Sequence, residues 1–229
     1  LVATLFLLLV TQSAYPPAPR GGEIVAVRDG LYSSLLVYDM DRNGTTYRFL
    51  KNDINLSSGI IIGSTTLPFP YATLATSYDA MVPDPANYLV LGGGAFTIPR
   101  AVHQDRPLLA IDTIEVEPYL LPLAETYFDT PKAPHLNNYT TDARAFLQQS
   151  TTTYDVIFSD VMNSGHFIPP HLLTTEFFAL LKDHLSPDGV ILLNYIGSLD
   201  THSTTMTGSL LKTLTQSFPN YQLVPMDST

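Results

Sequence analysis

The sequence predicts an α/β fold, a parallel sheet preceded by a small antiparallel β domain, and three observations carry this. From residue 87 onward, short apolar runs alternate with helical stretches, the rhythm of βαβ units. Before residue 69 the runs are short, rich in β-branched and aromatic residues and separated by tight-turn sequences, as in hairpins. The chain is 229 residues long and 45% apolar, enough to bury a sizeable core.

Residues 1–10, LVATLFLLLV, are wholly apolar but number about half of the roughly 20 needed to cross a bilayer. Three readings stay open for them: the stub of a transmembrane helix, the end of a signal-peptide core, or a buried strand. SAYPPAPRGG then marks a linker, being rich in Pro and Gly without periodicity. EIVAVRD, SSLLVYDMD and TTYRFLKND read as strands, the last two joined across RNG, a tight-turn sequence. SSG at residues 57–59 reads as another turn, and YATLATSYDAM as a helix after Pro70. Strand–helix pairs follow: NYLVLGGG with FTIPRAVHQ, LLAIDTIEVE with PYLLPLAETYF, LNNYTT with DARAFLQQ, YDVIFSD with HLLTTEFFALLKDHL, and GVILLNYIG with a helix inside TTMTGSLLKTLTQSF. The end, YQLVPMDST, reads as an edge strand.

Eleven basic against 21 acidic side chains give a formal charge of −10. That sign argues against a nucleic-acid partner, whose phosphates it would repel. It suits amines and polyamines, and it also suits simple solubility. The absence of cysteine excludes disulfides, thiolate zinc sites and cysteine nucleophiles. Histidines are scattered without HExxH spacing, so no metal is expected. NGT, NLS and NYT at Asn43, Asn55 and Asn138 match the glycosylation sequon, a short pattern that recurs by chance in a Thr-rich chain.

Right-handed crossovers put all parallel strand ends on one edge, where ligands of open α/β sheets bind. Gly92, Gly93 and Gly94 follow one strand and precede a helix, so the backbone can approach a ligand at the helix N-terminus. Glu115 and Glu117 end the next strand, two apart and expected on one face; a carboxylate there can accept from both hydroxyls of a ribose. One of the two is expected to reach the sugar. Asp142 precedes a helix and reads as an N-cap, or as the acceptor for an adenine amino group. Asp160 ends YDVIFSD where a second substrate would meet the nucleoside, which makes it the candidate general base.

The order GGG, IEVEP, TDARAFL, YDVIFSD resembles the spermidine synthase (polyamine aminopropyltransferase) family, a branch of the Rossmann-like class I methyltransferase fold. DVMNSGHFIPPHLLTTEFFALLKDHLSPDGVILLNYI is especially similar to its membrane-fused branch, which would make residues 1–10 the end of a membrane helix and the chain membrane-associated, or otherwise cytoplasmic. The resemblance implies an apolar stub and linker over 1–22, a small β domain over 23–68 and a Rossmann-like nucleoside-binding domain over 69–229. It implies Gly92, Gly93, Gly94, Glu115, Asp142 and Ala143 for the nucleoside, Tyr71 and the Asn163 position for the amine, and Asp160 as catalytic acid-base. It also implies a homo-oligomer, no permanently bound cofactor, and decarboxylated S-adenosylmethionine as co-substrate with a small-molecule amine such as putrescine.

Four positions depart from the family pattern. The aspartate of GGGDGG, which would hold the aminopropyl ammonium, is Ala95; the second acid of DSSDP is Asn163; YQ reads Tyr32-Ser33; and the polar residue after the pocket tyrosine is Ala72. Lost charge-assisted hydrogen bonds cost roughly 1.5 to 3 kcal/mol each. These losses keep two alternatives open: S-adenosylmethionine as a methyl donor, and a silent nucleoside-binding domain serving a membrane partner. His166 is a possible replacement for the lost acid. The loop ending in Pro169-Pro170 reads either as a gate over the amine or as plain helix entry.

Overall fold

The structure, a computed structural model, describes residues 20–162, 168–198, 202 and 205–225. The N-terminal part is an antiparallel meander of β1 (Gly22–Asp29), β2 (Ser34–Arg42), β3 (Thr45–Asn52) and β4 (Asn55–Ile61) in that spatial order. RNG makes the expected turn, with Asn43 at φ 56° and Gly44 at φ 77°, the pair of positive angles a two-residue hairpin needs. The next reversal comes at Asp53, φ 51°, and SSG is no turn. It runs inside β4, with Ser58 opposite Leu50 and Gly59 opposite Phe49. A Cβ on Gly59 would stand 2.6 Å from the Phe49 ring, so this glycine makes room for an aromatic side chain instead of reversing the chain.

The second sheet is wholly parallel: β5 (Asn87–Leu91), β6 (Ala110–Glu115), β7 (Leu136–Thr140), β8 (Tyr154–Ser159) and β9 (Leu185–Leu193), in the spatial order β7-β6-β5-β8-β9. Its helices are α1 (Pro70–Thr76), α2 (Thr97–Asp105), α3 (Leu120–Tyr127), α4 (Ala143–Gln149), α5 (Thr175–Asp183) and α6 (Met206–Leu214). Successive strand residues point to opposite faces. Tyr88 and Val90 therefore pack with Ala72 of α1 and Val102 of α2, while Leu89 and Leu91 pack with Leu147 of α4 and Phe177 of α5. Burial on both faces is why YLVL, residues 88–91, is a continuous apolar run. Leu35, Val37, Leu50 and Ile60 of the meander pack against Ala95, Phe96 and α3, which joins the two sheets close to the glycine loop.

Three other expectations are corrected or fall outside the description. β9 begins at Leu185, before GVILLNYIG, and its register with β8 shifts between Tyr154 and Val156. Residues 221–225 form no strand, and 226–229 lie outside the described residues, so the expected edge strand is absent from 221–225. The membrane-associated placement is overturned: among the described residues no helix is long and apolar enough to cross a membrane. α2, α5 and α6 have 9 residues each, or about 14 Å at 1.5 Å per residue, against a core of about 30 Å. Residues 1–10, on which that expectation rested, lie outside the described residues.

Candidate active site

The chain moves outward from β5 to β6 and β7, then returns to place β8 on the free side of β5. The two connections diverge there, which makes the C-termini of β5 and β8 the topological switch point, the place where such sheets bind ligands. Across this edge, in spatial order, stand Asp142 beyond β7, Glu115 ending β6, the three glycines after β5, Asp160 after β8 and Asn194 after β9.

The glycine loop and the exit of β8 touch. Asp160 N–H donates to the Leu91 carbonyl at 2.8 Å, and Gly92 has φ 91°. A Cβ on Gly92 would overlap the Asp160 carbonyl oxygen, so residue 92 lacks a side chain because any other residue would displace Asp160. Glu115 closes the other side. Its Oε2 accepts from Gly93 N–H at 2.9 Å and Gly94 N–H at 3.1 Å, and its Oε1 from Glu117 N–H at 2.9 Å. Burial raises the Glu115 pKa, and these backbone donors work against the rise.

Glu117 does not share the face of Glu115. β6 ends at Glu115, so the period of two lapses, and the buried Glu117 accepts from Tyr32 N–H at 2.8 Å and Tyr119 N–H at 3.2 Å. It ties the β1–β2 loop to the start of α3. Asp142 is the N-cap of α4, accepting from Ala145 N–H at 2.9 Å through Oδ1, while Oδ2 lies 2.9 Å from His171 Nε2. Burial opposes its ionisation, but the bonds to His171 and Ala145 outweigh burial and hold Asp142 below the usual carboxylate range. Ala143 packs its side chain into the cluster of Leu89 and Ile114.

Asp160 has the opposite environment. Burial raises its pKa to about 6; the Asn194 hydrogen bond lowers it, and the Glu115 charge adds to the rise. Tyr71 of α1 lies close enough for the Asp160 charge to add to the upward shift that burial gives its phenol. Tyr71 Oη donates to the Ser57 carbonyl at 3.0 Å. The buried Ser58 Oγ accepts from Ala95 N–H at 3.2 Å, so β4 walls the site from the N-terminal sheet. Ala95 and Phe96 are each 1% exposed and pack with Leu35, Val37 and Phe128. The position of the missing family acid is thus part of the apolar core.

Sequence reading missed Asn194 and Ser58. Asn194 left one signal, a lone amide after the apolar run GVILL; Ser58 left none, being read as part of a turn. Asn163 and His166 lie outside the described residues. Among the described residues no group of three or more His, Cys, Asp or Glu side chains is placed to hold a metal ion.

Residues 73–226 match the spermine/spermidine synthase domain. The chain belongs to that family. It is similar to a polyamine aminopropyltransferase of Vibrio vulnificus, 32% identical over 129 residues that make up 55% of this chain and 43% of that protein. It spans less than half the length of the curated relatives it matches. Among solved structures it is similar to a probable spermidine synthase from Corynebacterium glutamicum, with TM-score 0.73, 26% identity, and 86% of this chain and 72% of that chain covered. A human methyltransferase-like protein 13, solved in complex with SAH, gives TM-score 0.58 and 25% identity over 69% of this chain and 75% of its own. The family shown is the spermidine synthase family as a whole.

Proposed function

We propose that this chain belongs to an enzyme that moves an aminopropyl group from decarboxylated S-adenosylmethionine to a primary amine such as putrescine, in polyamine biosynthesis. The observation that carries this is the position of Asp160 at the switch point, beside the glycine loop that Glu115 holds. Family membership and the Vibrio relative support the same class of transferase.

In the proposed reaction the amine nitrogen attacks the carbon next to the sulfonium. The C–N bond forms as the C–S bond breaks, and the electron pair returns to sulfur, leaving neutral methylthioadenosine. The leaving group needs no acid. The nitrogen needs its proton removed, and a carboxylate with a pKa of about 6 accepts it near neutral pH. Glu115 would take the ribose hydroxyls, Asp142 the adenine amino group, and Gly92, Gly93 and Gly94 the close face of the nucleoside. Tyr71, with the Asn163 position, would border the amine.

A second reading, methyl transfer from S-adenosylmethionine, is favoured by one observation. Ala95 lies in an apolar cluster and offers no carboxylate to a terminal ammonium. The likeness to the human methyltransferase-like protein points the same way. Calorimetry with decarboxylated S-adenosylmethionine, S-adenosylmethionine and methylthioadenosine, followed by product assays with putrescine, separates the readings. Aminopropyl transfer predicts spermidine from the decarboxylated donor; binding without turnover for several amines defeats aminopropyl transfer and supports the silent nucleoside-binding domain.

A further inference from the structure

We infer that Asn194 is the positioning residue for Asp160: it holds Oδ1 of the carboxylate and leaves Oδ2 to receive the proton of the acceptor amine. This rests on the reading of Asp160 as base and deepens it. Asn194 is the first residue beyond β9, and its backbone N–H donates to the Ser159 carbonyl at 2.9 Å. The exits of β8 and β9 therefore run side by side, and the Asn194 side chain reaches its neighbour without a detour. Its Nδ2 donates to Asp160 Oδ1 at 2.9 Å.

Among the described residues, the groups that face Asp160 come from three elements, and they act differently. Glu115, from β6, is an acid that spends its oxygens on Gly93, Gly94 and Glu117 N–H groups and adds like charge. Tyr71, from α1, gives its proton to the Ser57 carbonyl and so offers Asp160 no donor. Asn194, from β9, donates to the carboxylate and carries no charge. Among these three it alone favours the ionised, proton-accepting form, against burial and against Glu115. A carboxylate held at one oxygen also has a fixed plane, which a base needs to meet a nitrogen in line.

The test uses the full chain with Asn194→Ala and Asn194→Gln, and two readouts. In a carbon-13 NMR titration, the Asp160 carboxyl of Asn194→Ala is expected to titrate about one unit higher than in the parent, since a lost hydrogen bond to the charged form raises a pKa. Asn194→Gln, which keeps the amide, is expected to recover part of that shift. In the pH profile of kcat/KM the acid limb should move by the same amount, giving about tenfold less transfer at pH 5.5, and transfer at pH 9 should stay below parental because the carboxylate plane is no longer fixed, with methylthioadenosine affinity unchanged within twofold. An unmoved Asp160 titration in folded Asn194→Ala overturns the inference, whatever the activity. Unchanged transfer in Asp160→Asn overturns the function reading instead, and the NMR result stands apart from it.

Discussion

Asp142 and Asp160 are the same residue type on the same sheet edge, and their surroundings drive them in opposite directions. Asp142 caps a helix and meets His171, so it stays ionised well into acid. Asp160 sits where desolvation and Glu115 outweigh one amide donor, so it changes charge near neutral pH. Under the proposed function, the difference would separate binding from chemistry. A group that must accept hydrogen bonds from a nucleoside is best permanently anionic, while a group that must accept a proton is best with a pKa near the working pH.

Removing the Asp160 carboxylate should have the largest effect. Asp160→Asn is expected to lower transfer by about 10²- to 10⁴-fold, the usual range for a lost general base, with methylthioadenosine affinity nearly intact by calorimetry. It should also stabilise the fold at pH 8. A carboxyl whose folded pKa lies above its unfolded value binds protons more tightly when folded, so stability falls as pH rises between the two values. The shift from 3.8 to about 6 corresponds to at most about 3 kcal/mol at 1.36 kcal/mol per unit. Parent and variant melting temperatures should converge near pH 4, separate as pH rises from about 4 to about 6, and stay apart above that, with the variant higher. Equal melting temperatures at pH 8 would mean that Asp160 is not desolvated.

Gly92→Ala sharpens the contrast from the backbone side. The new Cβ would overlap the Asp160 carbonyl oxygen at a φ of 91°, so the β8 exit must shift, at a cost of about 1–3 kcal/mol. Displacing the base by about 1 Å costs on the order of 10²-fold in rate. Asp142 stands two strands away, beyond β7, and its cap should survive. Urea unfolding and the pH profile of transfer check both halves: normal stability with normal transfer would show that the loop does not constrain Asp160.

The same contrast explains what the sequence disclosed. The existence of each parallel strand and its helix was legible, because continuous apolar runs buried on both faces, as in β5 and β8, and 3.6-period stretches leave strong patterns, but the start of β9 was not. The ends of β5, β6 and β8 were legible too, since glycine or an acid after an apolar run marks a strand exit. Partners across the edge were not. Whether Glu117 turns to Tyr32 or to a ribose depends on where β6 stops, and whether Asn194 meets Asp160 depends on β9 lying next to β8. SSG was misread because Ser and Gly favour turns, while the reason for Gly59, the Phe49 ring, lies on the neighbouring strand. That Ala95 sits in apolar core rather than facing a ligand also depends on packing against the N-terminal meander.

The smallest expected effect tests the other side of the comparison. Asp142→Asn keeps a good cap acceptor and removes only the charge opposite His171, a pair whose side chains are 38% and 50% exposed. Such pairs are worth under about 1 kcal/mol. A carboxyl whose folded pKa is depressed stabilises the fold above its unfolded pKa, and that contribution is lost as pH falls through the folded value. The parent should therefore exceed Asp142→Asn slightly at pH 7, and the gap should close below pH 4, the reverse of the slope for Asp160→Asn. Asp142→Ala should cost about 1 kcal/mol more than Asp142→Asn, because the cap is lost as well, and this extra cost should persist in acid. Melting temperatures of the three proteins from pH 3 to pH 8 decide it: two variants with equal deficits would mean that the charge, not the cap, is what Asp142 supplies to α4.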